Sequence, residues 1–143
     1  MPNYVWLFTT VNQTQKMKVK IDTKEKFHVI TIIESTLTDN IAAEISEIAQ
    51  KFLTEQIKNV VLSLANTDTI DSEEAARKLV LLQHLFYDNN ASFVICNIQP
   101  KAEEMLEKLE LLEIMNVTPS ESEAWDIVQM EEIERELLDD EEG

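Results

Sequence analysis

At 143 residues with 44% hydrophobic content, the chain suffices for one domain with a buried core that needs neither disulfide nor metal. Its only glycine is Gly143, which excludes glycine-rich phosphate loops of the Walker A or dinucleotide type and makes most nucleotide enzymes poor candidates. The net charge of −16 is lopsided: residues 1–102 carry 10 basic and 12 acidic side chains, residues 103–143 carry 2 and 16, so the C-terminal end repels nucleic acid and anionic membrane surfaces.

Residues 1–16 contain no acid and hold the apolar run Tyr4-Val5-Trp6-Leu7-Phe8. This is far below the ~20 residues that span a bilayer, and it lacks the basic start of a signal peptide, so no direct membrane insertion is expected. Met17 to Ile21 alternates as an edge strand does, with Lys18 and Lys20 resisting edge-to-edge pairing. Residues 1–16 therefore read as an N-terminal extension outside the domain, one that start-codon choice could have added. The competing reading is an extra strand or arm, because Trp6 and Phe8 in water would be an unusual exposure.

A polar turn at 22–26 leads to Phe27–Ile33, a strand rich in β-branched residues. His28 alternates to the side of Ile30 and Ile32, which marks a structural histidine; His84 is the only other one, and no metal-binding spacing joins them. After a loop, Thr38 to Asn40 can cap a helix whose Ile41, Ile45, Ile48, Ala49, Phe52 and Leu53 form one buried stripe.

Val60 to Leu64 is a short apolar run that reads as a buried strand, followed by a turn of Asn, Thr and Asp. Asp71 and Glu74 have capping-box spacing, which places Ser72 at the first helical position, beside amides that favour anions. The second helix presents Ala75, Ala76, Leu79, Val80, Leu82, Leu85 and Phe86 and ends near Asp88. Ser92–Ile98 is the next strand, Pro100 opens a third helix with Met105, Leu106, Leu109 and Leu112 on its apolar side, and Ile114–Val117 reads as a short last strand. Ser120 to Glu123 is a second capping box, opening a terminal helix with Ala124, Ile127, Val128, Ile133 and Leu137 facing inward and Trp125 packing. Cys96 has no partner for an internal bridge, which fits a reducing cytoplasm.

A strand, a turn ending Ile70-Asp71-Ser72, and a helix rich in Ala and Leu together resemble the STAS domain of bacterial anti-sigma-factor antagonists and sulfate transporters. The resemblance covers about residues 17–135, and the closing pattern Thr118-x-Ser120-x-x-Glu123-Ala124 adds to it. In the antagonist branch the motif runs aspartate, serine, serine or threonine, glycine, and a partner kinase phosphorylates the first serine. Asp71 and Ser72 match; Glu73 and Glu74 do not.

The element order implies an α/β fold: a single STAS-like domain with a mixed, mostly parallel sheet of four to five strands and about four helices. Residues 17–135 form that domain and 136–143 an acidic tail. The resemblance implies a non-catalytic interaction module with no cofactor, whose partner is an anti-sigma factor that is also a serine kinase. Ser72 would be the phosphate acceptor, and the loops before the first two helices, with Asp39, Asn40, Asp68, Thr69, Asp71 and Glu73, the docking surface. A phosphate there would add about two negative charges and break binding by repulsion. The alternative is a STAS scaffold that is never phosphorylated, in a stress-signalling or transporter complex. A phospho-aspartate receiver, from a different class, would need an acidic pair for Mg²⁺ after an earlier strand, where only Glu34 stands.

Overall fold

The computed structural model describes residues 3–11 and 15–142. Its main sheet contains β1 (Asn3–Val11), β2 (Gln15–Thr23), β3 (Phe27–Ile32), β5 (Asn59–Ser63), β7 (Phe93–Cys96) and β8 (Val117–Thr118). The spatial order is β1-β2-β3-β5-β7-β8, with β1, β2 and β3 antiparallel and β3, β5, β7 and β8 parallel. From β2 onward this is the expected mixed sheet of five strands, three of its four pairings parallel, with four helices: α1 (Asp39–Lys51), α2 (Glu73–Asp88), α3 (Pro100–Lys108) and α4 (Glu121–Glu142). Strand β1 adds a sixth.

Alternation along the strands sorts side chains to the two faces. Ile30, Ile32, Val60, Leu62, Phe93 and Ile95 pack with Ile45 and Ala49 of α1, Leu79 and Phe86 of α2 and Leu106 of α3. Val29, Val61, Val94 and Cys96 pack on the other face with Ala124 and Val128 of α4, and Trp125 stacks on Phe27 at a centroid distance of 5.2 Å. Three helices thus cover one face of the sheet and α4 the other.

Several expectations are corrected. Strand β2 is interior rather than an edge, because β1 pairs along its whole length from Asn3↔Thr23 to Val11↔Gln15; the environments of the Trp6 and Phe8 side chains lie outside the described residues. The last strand lies at Val117–Thr118 instead of 114–117. Amide bonds from Ile114 and Met115 back to the carbonyls of Leu111 and Leu112 hold residues 112–114 in a 3₁₀ turn that leaves Ile114 exposed. On α4, Ile133 and Leu137 do not face inward: they are 56% and 58% exposed, since the buried side is used by Glu131, Glu132 and Arg135, which hydrogen-bond the domain. The helix continues unbroken through the acidic residues to Glu142.

Candidate docking rim at the second helix

The loops before α1 and α2 are joined into one structure. Two short strands, β4 (Thr36–Leu37) and β6 (Thr69–Ile70), pair in parallel apart from the main sheet. The amides of Asp68 and Thr69 donate to the Ser35 carbonyl at 2.8 and 3.2 Å, and the amide of Asp71 donates to the Leu37 carbonyl at 3.1 Å. Thr67, fully buried, donates its hydroxyl to the Glu34 carbonyl at 2.9 Å. Leu37 and Ile70 anchor the pair in the core. Neither two-residue strand is long enough to show a period, so only the turn residues around them are legible in sequence.

This pairing decides the cap. Because Asp71 is tied to Leu37, the chain stays extended through Ser72 (φ −149°, ψ 156°), and the helix begins one residue later than expected. Ser72, not Asp71, is the N-cap: its Oγ accepts from the Ala75 amide at 3.1 Å, while Asp71 stays exposed outside the helix. Thr38 caps α1 in the same way, accepting from the Ile41 amide at 3.2 Å.

The rim is acidic and exposed. Asp39, Asn40, Asp68, Asp71 and Glu73 are exposed, whereas Thr69 and Ser72 are half-buried. The Thr69 hydroxyl meets that of Thr36 at 3.4 Å. The nearby cations are already engaged: Arg77 pairs with Glu73 at 3.0 Å, and Lys78 reaches across from α2 to Asp39 at the start of α1. Exposed pairs of this kind contribute little stability, but they leave the helix amides as the main local source of positive potential at Ser72.

His28 and Cys96, two groups with potential chemistry elsewhere in the fold, are buried. His28 is buried, shares a hydrogen bond of 2.9 Å between Nδ1 and the Thr23 hydroxyl, bonds the Ile57 carbonyl through Nε2 at 2.9 Å, and stacks on Phe52. Burial pulls its pKa below 6.5, against the opposing effects of the Ile57 carbonyl and Glu55. Burial likewise pushes the Cys96 thiol up to about 11, although a hydrogen bond from Ser63 acts the other way. Among the described residues no three His, Cys, Asp or Glu side chains come together to hold a metal ion, and no helix is long and apolar enough to cross a membrane.

A mixed sheet with three helices on one face, one on the other, and a paired-loop rim at the second helix defines an α/β domain whose distinguishing surface is a rim of loops. The STAS domain profile matches residues 18–124. The chain belongs to the STAS domain family. Among solved structures, it superposes on an anti-sigma factor antagonist from Mycobacterium paratuberculosis with a TM-score of 0.66 at 11% identity, over 79% of this chain and 94% of that one. An anti-sigma-factor antagonist (STAS) domain protein from Planctomyces limnophilus gives 0.61 at 19% identity, over 78% and 97%. The murine Slc26a9 anion transporter gives 0.62 at 13% identity, over 91% of this chain and 22% of the transporter. Comparison with curated protein sequences gives no match.

Proposed function

We propose that this chain is a non-catalytic interaction module of cytoplasmic partner switching in a bacterial transcription pathway. Its docking surface is the rim of Asp39, Asn40, Asp68, Thr69, Asp71 and Glu73, and its partner is an anti-sigma factor that phosphorylates Ser72. The observation that carries this reading is the β4–β6 pairing, which holds both helix-leading loops in one exposed surface with Ser72 at its margin. A phosphate on Ser72 would meet the amides of the first turn of α2 and add negative charge to a rim that is already acidic. A partner whose contacts reach Ser72 would meet like-charge repulsion and a desolvation cost in the phosphorylated state, and so bind it more weakly. The test is incubation with serine kinases of the anti-sigma-factor class and ATP, read by intact mass. One phosphate on the wild type and none on Ser72→Ala is expected. A wild type left unmodified under conditions that phosphorylate a genuine antagonist would overturn it.

A second reading, a STAS scaffold that is never phosphorylated, is favoured by two particulars. The Ser72 hydroxyl is engaged as a cap, and Glu73 and Glu74 supply first-turn charge without any modification. The transporter superposition also reaches further along this chain than the two antagonist superpositions do, so an accessory role in a transporter complex shares the fold. Co-purification of a permease in place of an anti-sigma kinase would select it.

A further inference from the structure

Helix α4 carries two distinct faces. On one, Ala124 and Val128 are fully buried, and Glu131, Glu132 and Arg135 reach Asn116, Asn59 and Ser92. On the other, Met130, Ile133 and Leu137 are 60%, 56% and 58% exposed. At about 100° per residue these three fall within an arc of about 60°, roughly opposite Val128 and Arg135. The domain core is therefore complete without them, and the spacing of three and then four is that of a helix–helix seam.

The residues flanking this seam are Glu134 and Glu136. A second copy of α4 would set these carboxylates against each other whether the two helices ran parallel or antiparallel, so the flanks oppose self-pairing. An anionic bilayer is opposed in the same way, because residues 121–142 hold 11 acidic side chains and one basic one, Arg135, which is turned toward Ser92. A helix with an apolar seam bordered by lysine or arginine meets both requirements.

We propose that the outer face of α4, Met130-Ile133-Leu137 with Glu134 and Glu136 at its borders, is a docking surface for an amphipathic basic helix of a partner protein. It lies across the sheet from α1 and α2 and does not depend on the reading of Ser72. Occupation of one surface leaves the other open, so the chain can hold two partners at once.

The probe is a synthetic helix of about four heptads with leucine in the seam and lysine on both borders, titrated into the full chain by calorimetry. Saturable one-to-one binding is expected. The double substitution Ile133→Ser, Leu137→Ser should weaken it roughly tenfold or more, as should serine in place of the peptide's seam leucines. Charge reversal by Glu134→Lys and Glu136→Lys should reject this peptide and admit one with glutamate borders. All four positions are solvent-facing, and an unchanged thermal midpoint confirms that each variant is folded. Absence of binding would overturn the proposal, as would binding that ignores the seam substitutions in either molecule. So would a wild-type dimer in sedimentation that the serine substitutions dissolve, which would make the face a self-interface.

Discussion

The hydroxyl of Ser72 already has a task in the resting protein, because it closes the amino end of α2 by accepting from Ala75. Ser72→Ala removes that cap and should cost about 1 kcal/mol of stability in urea denaturation, whereas Ser72→Asp retains a capping acceptor and should cost much less. The pair therefore separates charge from capping: a partner whose affinity falls with Ser72→Asp but not with Ser72→Ala responds to the added charge alone. His28 makes a second prediction. Its folded pKa lies below 6.5, so the unfolded chain takes up the proton first as pH falls. Its contribution is complete above about pH 6.5 and declines below it. Urea midpoints should be lower at about pH 5.5 than at about pH 7.5, and His28→Gln should flatten that difference even though it destabilises the protein overall.

At the scale of the element, α4 is held by polar contacts as well as by the packing of Ala124 and Val128. Asn59, at the start of β5 and 6% exposed, donates to the Lys26 carbonyl and to Glu132 of α4 and accepts from the Ser92 amide. Asn59→Ala leaves a buried amide and a carbonyl without partners and should cost about 2 kcal/mol. Hydrogen exchange should show the loss first in α4 and at the start of β7. These contacts also explain where sequence reading stopped short. The stripes of α1 and α2 were legible because Ile45, Ala49, Leu79 and Phe86 recur with the helical period and all become buried. The same period at Ile133 and Leu137 pointed inward only by assumption: periodicity shows that apolar residues share a face, not which way that face turns. Glu131, Glu132 and Arg135 decide the matter through partners far away in sequence. Likewise the capping box at Asp71 was a sound local reading, overridden by the long-range bond from its amide to Leu37. His28 and Trp125 are legible in sequence because strand alternation turns His28 toward the core and Trp125 lies on the side of α4 that packs on Phe27.

At the scale of the whole molecule, the family profile begins at residue 18, while the sheet begins at residue 3. We propose that residues from Met17 onward suffice to fold, and a chain starting at Met17 is then expected to unfold cooperatively in a thermal melt. It should also remain monodisperse in sedimentation, because Lys18 and Lys20 on the newly uncovered β2 discourage pairing with another edge. Loss of cooperative unfolding would show that β1 is integral to the fold. The order of strands and helices, by contrast, followed from short β-branched runs alternating with longer helical stripes, and right-handed crossover logic then left few arrangements to consider.

The parallel pairing of Thr36-Leu37 with Thr69-Ile70 bears on the entropic cost of docking as well as on shape. Loops already fastened to each other surrender little freedom on contact, so more of the contact energy would be left as net affinity for whatever docks there.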